Sequence, residues 1–206
     1  METNRSIFSV MKSDDVRLKI IIKNVITMLS NRIYIDKNGD KHALLSLSDT
    51  LNNYEDRGDN TFIITANNGD KYAIKIIFQI ISAIGKQSVI SEFFDEYNNY
   101  KKIIVAEGYN TKINKVVSST GSQIFRESAF LSDLISHSFQ PKFELLSPKE
   151  MELFKNEYNA TTYTTKKITR SDPVTKYFAL KVNDIIRIVR PSITSGESID
   201  YRIVIQ

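Results

Sequence analysis

The sequence predicts an α+β fold. An N-terminal helix-flanked mixed sheet, residues 1–138, is followed by a small C-terminal α/β domain, residues 139–206, built around a β-hairpin. Three observations carry this expectation. Asp14 to Asn31 places Leu18, Ile21, Ile22, Val25, Met28 and Leu29 at helical spacing. Two apolar runs flank Asn67-Asn68-Gly69-Asp70, and a helical pattern then leads into Ile103-Ile104-Val105, which gives strand, helix, strand in that order. In the last third, two capped helix starts precede a strand, a turn and a strand.

Taken in order, Met1 to Asp15 is polar, mixed in charge and without a signal-peptide pattern. After the first helix, Ile33-Tyr34-Ile35 reads as a short strand and Asp36 to Lys41 as a glycine-containing loop. Asn52 to Asn60 is polar and expected to be exposed. Thr61 to Ala66 and Lys71 to Phe78 form a hairpin, because an Asn-Gly turn supplies the positive φ that tight reversal needs. Ser88 to Tyr97 puts Ile90, Phe93, Phe94 and Tyr97 on one helical face. With a strand on either side, that helix predicts a parallel crossover. Asn110 to Val117 is a further short helix broken by Gly121, and the boundary between the halves falls in Ser136 to Pro141.

Beyond it, Ser147-Pro148-Lys149-Glu150 is a capping box with proline at the first helical position, and Met151, Phe154 and Tyr158 mark the expected buried side. A linker follows. Asp172 then caps a short helix opened by Pro173, and Val174, Tyr177 and Phe178 form its apolar stripe. Ile185, Arg187 and Val189 alternate with Ile186, Ile188 and Arg190 along a half-buried strand. Pro191 to Gly196 supplies the turn, and Ile199, Tyr201, Ile203 and Ile205 line one face of the returning strand.

Composition narrows the classes. Apolar residues make up 41%, enough for real cores, and no apolar run is long enough to span a bilayer. The absence of cysteine excludes disulfides, thiolate metal sites and cysteine nucleophiles, and fits an intracellular protein. Heavy use of Ile, Asn and Lys with little Gly and Pro is the mark of an AT-rich genome. The net charge of +4 is mild. Lys166, Lys167, Arg170, Lys176, Lys181, Arg187 and Arg190 nonetheless face only Asp172 and Asp184 in that stretch. Such a stripe suits phosphate, an acidic protein surface or plain solvent. The last two are favoured, because duplex binders carry stronger regional charge.

No catalytic constellation emerges. A metal-dependent nuclease needs an acidic residue at a strand end and Glu-x-Lys on the next strand. Ala73 stands two before Lys75, and Tyr109 two after Glu107, so the pattern fails twice. Glu55, Asp56 and Asp59 read as a solvated acidic loop. His42 and His137 have no partner at metal-ligand spacing and read as surface or hydrogen-bonded histidines. Gly69 and Gly121 are isolated, so there is no phosphate-cradling loop, and no serine sits in a nucleophile elbow.

The C-terminal wording resembles a known family. PKF-x-LLS from Pro141, DPVTKYFALK from Asp172, IIRIVRPSITSG from Ile185 and YRIV from Tyr201 resemble the fifth subunit common to the eukaryotic nuclear RNA polymerases. The small archaeal counterpart of that polymerase subunit is similar to this half alone. The resemblance runs without a gap from Pro141 to Val204, while the N-terminal part matches in layout only. Ala179 stands where the family has glycine, Val182-Asn183 where it has Arg-Gly, and Ile193 where it has glutamate. Thr164-Thr165-Lys166-Lys167-Ile168 replaces Gln-Leu-Pro-Arg-Ile. Within this family the composition points to a divergent, large-DNA-virus version.

The resemblance implies a non-catalytic subunit of a multisubunit DNA-directed RNA polymerase, with the catalytic carboxylates in other chains. The C-terminal domain would be an assembly module docking on the largest subunit. The N-terminal one would be a jaw domain of nuclease-like shape, near downstream duplex DNA. Docking candidates matching the family motifs are Asp172, Pro173, Val174, Tyr177, Phe178, Arg190, Ser192, Thr194, Gly196, Tyr201 and Arg202. Of these Pro173, Val174 and Phe178 read as cap or core, and Arg190, Thr194 and Arg202 as contacts. Thr111, Lys112, Asn114 and Lys115 match the family's DNA-proximal loop, and an ordinary solvated helix accounts for them equally well. No cofactor, metal, membrane or small-molecule substrate is implied. The site of action is the nucleus for a cellular member, and the host cytoplasm and virion for a cytoplasmically replicating virus. Two rivals are a free-standing nucleic-acid-binding module using Lys166 to Arg190, and a relic metal-dependent nuclease.

Overall fold

Helix α1 (Asp14–Asn31) forms over the predicted span, with Ile21, Ile22, Val25, Ile26, Met28 and Leu29 buried. A short antiparallel hairpin follows, β1 (Ile33–Ile35) and β2 (Lys41–Ala43), closed by the predicted glycine-containing loop. The computed structural model describes residues 13–47, 54–85, 88–132 and 140–206. The expected boundary at Ser136 to Pro141, His137, and the start of the Asn52 to Asn60 loop lie wholly or mostly outside the described residues. The chain divides between a first unit, drawn from Met1–Ile26 and Thr50–Ser132, and a second, drawn from Thr27–Asp49 and Asp133–Gln206.

The first unit is a five-stranded mixed sheet in the order β3-β4-β5-β6-β7. Its strands and helices are β3 (Glu55–Asp56), β4 (Thr61–Thr65), β5 (Lys71–Ile81), α2 (Val89–Glu96), β6 (Lys101–Tyr109), α3 (Thr111–Ser119), β7 (Gln123–Arg126) and α4 (Ser128–Leu131). The β4–β5 hairpin turns where Asn-Gly predicted, with Gly69 at φ +84°. The crossover β5–α2–β6 is parallel as expected, and β6–α3–β7 repeats it. Each helix starts on a side-chain cap: Ser88 Oγ accepts from Ser91 N–H at 3.3 Å, and Asn110 Oδ1 from Ile113 N–H at 2.9 Å. Ile90 and Phe93 of α2 and Ile113 and Val117 of α3 close over Ile63, Ala73, Ile104, Ala106 and Ile124. Part of the expected exposed loop is strand β3, paired with β4.

The second unit holds a four-stranded sheet in the order β8-β10-β11-β9. It comprises β8 (Lys142–Leu145), α5 (Pro148–Tyr158), β9 (Lys166–Thr169), α6 (Pro173–Tyr177), β10 (Ile185–Ser192) and β11 (Gly196–Ile205). The expected linker is thus corrected, because its end is strand β9, parallel to β11. Both faces of the sheet are covered, rather than one. Leu146, Phe154, Ile185 and Ile203 form one core with α5. Ile168, Leu180, Ile186, Ile188 and Val204 form the other. The capping box is complete: Ser147 N–H donates to Glu150 Oε2 at 2.6 Å, and Glu150 N–H to Ser147 Oγ at 3.3 Å. Tyr158 is corrected to 60% exposed. It lies in the last turn of α5, its ring tilted against those of Phe154 and Tyr201 with centroids 5.3 and 6.1 Å away.

Candidate partner interface

Helix α6 begins as predicted, with Asp172 Oδ1 accepting from Val174 N–H at 2.8 Å and Pro173 in the first turn. The residue it buries differs from expectation. Thr175 is 1% exposed, while Val174, Tyr177 and Phe178 are half-buried. The helix is only five residues long, so its inward side is set by its ends rather than by a long stripe. Its C-terminus is closed twice over. Ala179 N–H donates to Lys176 C=O at 3.2 Å and Leu180 N–H to Thr175 C=O at 3.0 Å, with Ala179 at φ +53°, a Schellman arrangement. Arg32, 4% exposed, donates from Nε to Tyr177 C=O at 2.7 Å and from Nη2 to Lys176 C=O at 3.2 Å. Asn31 Nδ2 donates to the Tyr177 hydroxyl at 3.0 Å, and Phe178 lies against Phe143 with centroids 6.0 Å apart. Tyr177 and Phe178 are therefore engaged inside the unit.

The hairpin is longer and tighter than the turn wording suggests. Pro191 and Ser192 belong to β10, Gly196 opens β11 at φ +74°, and only Ile193 to Ser195 turn. The register is unbroken from Ile185↔Ile203 to Ser192↔Gly196. β8 accompanies β10 only from Ile186 to Val189, and β9 accompanies β11 only from Arg202 to Ile205. The remainder is a two-stranded ribbon without further strand partners among the described residues. Ile193 at its tip is 106% exposed, and Ile199, expected to line the core, is 48% exposed because it lies on this ribbon. Arg190 and Thr194 are exposed too, and the Ser192 and Thr194 hydroxyls are 3.3 Å apart.

Lower on the sheet, Tyr201 packs on Phe154 at 4.4 Å between centroids. Asp200 accepts from Lys166 Nζ at 2.8 Å and lies 3.5 Å from Arg202 Nε. Burial pushes the Asp200 carboxyl up, but the Lys166 bond and the two cationic charges outweigh it and hold the group below its ordinary value. Glu144 is held low by its hydrogen bond to Lys142, against burial, and Arg187 lies 3.6 Å away. The basic stripe is thus partly neutralised inside the sheet. The Asp172 cap, Arg190, Ser192, Thr194, Gly196 and Arg202 all fall within this unit, but the ribbon gathers only Arg190, Ser192, Thr194 and Gly196. Sequence reasoning does not mark Ile193 or Ile199 as contacts. The signal for Ile193 is its departure from the family's glutamate.

In the first unit, Thr111, Lys112 and Lys115 lie on the exposed side of α3, with Asn114 half-buried and Ile113 and Val117 inside. They occupy its opening turns rather than a loop. Among the described residues no group of three His, Cys, Asp or Glu is placed to hold a metal. Glu55 pairs with Arg57 at 2.7 Å, Asp56 Oδ1 accepts from Gly58 N–H at 2.8 Å, and Asp59 pairs with Lys75. Lys75 is buried, and its Nζ also donates to Asp59 C=O at 2.6 Å and to Thr61 Oγ1 at 3.1 Å. It anchors the turn at Asp59 and Asn60, both at positive φ. Glu107 is exposed. His42 lies 3.1 Å from Asp36 Oδ2 and stacks on Tyr34 at 5.4 Å, the hydrogen-bonded surface histidine expected. No helix among the described residues is long and apolar enough to cross a membrane.

The comparisons converge on one family. The model described as RNA polymerase Rpb5, C-terminal domain, matches residues 132–204, which include the whole four-stranded sheet up to Val204. The chain is 61% identical over 205 residues to DNA-directed RNA polymerase subunit 5 of Acanthamoeba polyphaga mimivirus, covering 100% of each. It is 24% identical over 156 residues to the RPABC1 subunit of DNA-directed RNA polymerases I, II and III from Caenorhabditis briggsae, 72% of this chain and 74% of that one. With subunit Rpo5 of Methanocaldococcus jannaschii it shares 37% identity over 70 residues, 34% of this chain and 90% of the archaeal one. With a viral relative matched end to end and the sheet-and-ribbon unit matched by the family description, the chain belongs to the family of the fifth subunit of DNA-directed RNA polymerases.

Proposed function

We propose that this chain is a non-catalytic subunit of a multisubunit DNA-directed RNA polymerase, whose catalytic residues lie in other chains. Its C-terminal domain, residues 139–206, docks on the largest subunit, and residues 1–138 form part of the jaw near downstream DNA. The observation that carries the docking reading is the ribbon, which extends past both flanking strands and ends in a fully exposed isoleucine. A large apolar side chain at the tip of a projecting ribbon is suited to insertion into a partner's pocket. Arg190 and Thr194 flank that tip as polar contacts, with Ser192, Gly196, Tyr201 and Arg202 below them. Asp172, Pro173, Val174, Tyr177 and Phe178 support the module. Lys112 and Lys115, with Thr111 and Asn114, suit sequence-independent phosphate contact.

The subunit would act wherever its polymerase does, which for a cytoplasmically replicating virus means the host cytoplasm and the virion. The test is recovery of the tagged full-length chain from its native source, with the Arg190→Glu, Thr194→Glu double variant in parallel. Stoichiometric recovery of the two largest polymerase subunits, lost in the variant, is expected. Recovery with both forms would move the interface off the ribbon. A chain that comes down alone or with nucleic acid would overturn the polymerase reading.

A further inference from the structure

The ribbon has two edges, and they are not equivalent. Val204 N–H donates inward to Asp184 C=O, whereas Ile205 C=O accepts from Arg170 N–H on the β9 side. Because strand residues alternate and the register is unbroken, the peptide groups of Glu197, Ile199 and Tyr201 all face that outer side. On β10 the same parity is seen at Ile185, whose C=O accepts from Leu146 N–H on the β8 side. Pro191 therefore presents its outer edge without a donor, the usual way an edge is closed to pairing.

The β11 edge has no such block. β9 stops at Lys166, opposite Arg202, and no backbone partner meets Glu197 or Ile199 on the outer side among the described residues. One acceptor there is used: the Ser195 hydroxyl donates to Glu197 C=O at 3.0 Å. That leaves the Glu197 N–H and both peptide groups of Ile199. Beside them the Ile199 side chain, 48% exposed, continues the apolar row that Tyr201 and Ile203 begin under α5.

We propose that the outer edge of β11, Glu197 to Tyr201, is a strand-addition site that takes one extended segment of a partner polymerase subunit. The segment lies end to end with β9, accepts from the Glu197 and Ile199 N–H groups, and donates to the Ile199 C=O. Main-chain bonds supply the register, and an apolar side chain of the segment covers Ile199. This rests on the polymerase-subunit reading and names the contact within it. It also separates two roles: Arg190 and Thr194 lie on the blocked strand and the turn, Ile199 on the open one.

The test compares amide hydrogen exchange of the full chain, free and in purified polymerase, and co-purification of Ile199→Pro and Ile199→Ala. Assembly is expected to slow exchange across Glu197 to Tyr201 at least tenfold. Ile199→Pro, which deletes the outward N–H, should lower recovery of polymerase more than tenfold, and Ile199→Ala, which keeps it, by less. Unchanged exchange at these amides within recovered polymerase would overturn the inference and leave the polymerase reading standing. Equal loss with both variants would overturn strand addition in favour of a side-chain contact alone. If Ile199→Pro does not fold by circular dichroism, the exchange measurement on the unaltered chain decides. Wild-type chain recovered without polymerase subunits would refute the underlying reading instead.

Discussion

Ala179 is the clearest place where this chain holds a residue its backbone disfavours. It sits at φ +53° immediately after α6, exposed, as the left-handed residue of the Schellman closure. An L-residue there brings Cβ against the following carbonyl, at roughly 1–2 kcal/mol. Glycine removes that strain but has a freer unfolded chain, which returns roughly 0.4–1 kcal/mol. Ala179→Gly is therefore expected to stabilise by about 0.5–1 kcal/mol. Its methyl is on the surface, so no buried packing is lost. Urea unfolding followed by far-ultraviolet circular dichroism and by tyrosine fluorescence suits a chain with ten tyrosines and no tryptophan. The midpoint should rise with an unchanged slope. Ala179→Val, a β-branched residue at positive φ, should lower it. Asn183, at φ +74°, is the internal control, because asparagine tolerates this region and Asn183→Gly should change stability by less than about 0.5 kcal/mol. A neutral or destabilised Ala179→Gly would refute the reasoning.

Substitutions at five further positions are read by the same unfolding measurements. Thr175 Oγ1 is buried without a hydrogen-bond partner among the described residues, so Thr175→Val should stabilise by about 1 kcal/mol, and a loss would reveal a bond to the hydroxyl. Lys75→Met should destabilise by about 1–3 kcal/mol, because it removes the buried donor to the Asp59 carbonyl and Thr61 hydroxyl. Asp59→Asn should lower stability by less than about 1 kcal/mol, since that side chain is 88% exposed; the reverse ranking would mean the ion pair dominates. Burial raises the Asp184 carboxyl above its ordinary value, against the Lys181 N–H bond, so the native state holds a proton the unfolded chain has released. Stability then falls as pH rises through that window, and Asp184→Asn should exceed the parent at pH 7 but not below the unfolded carboxylate range; equality at pH 7 would contradict this. Arg32→Ala should destabilise by about 1.5–3 kcal/mol, with Arg32→Lys restoring only part because an ammonium lacks the guanidinium fork; full rescue by lysine would mean charge alone matters.

What was legible in the sequence was local. α1, α2, α3 and α5 announce themselves by apolar period and by caps at Ser88, Asn110 and Ser147, each satisfied within three residues. The β4–β5 hairpin follows from Asn-Gly. β7, β8 and β9 were not legible, because each is four residues long and exists only through a partner distant in sequence. The interior position of Lys75 likewise depends on a carbonyl 16 residues away. On the candidate interface, the motif order located the ribbon, but its free length depends on where β8 and β9 stop. That is a property of the sheet, so Ile199 read as core.

The C-terminal unit extends beyond the stretch that the family description covers. The family description starts at residue 132, yet the last carbonyls of α6 are met by Arg32, from the end of α1. Lys176 C=O also closes the Schellman turn through Ala179 N–H, and a guanidinium this deeply buried needs acceptors, which the Tyr177 and Lys176 carbonyls supply. Arg32 and Tyr177 stand 145 residues apart, whereas the archaeal match spans 70 residues and 90% of that protein. A stretch of that length cannot contain both partners. In this chain, therefore, the segment after Thr27 belongs to the C-terminal unit, and its Arg32 holds the end of α6 from outside the stretch that the family description covers.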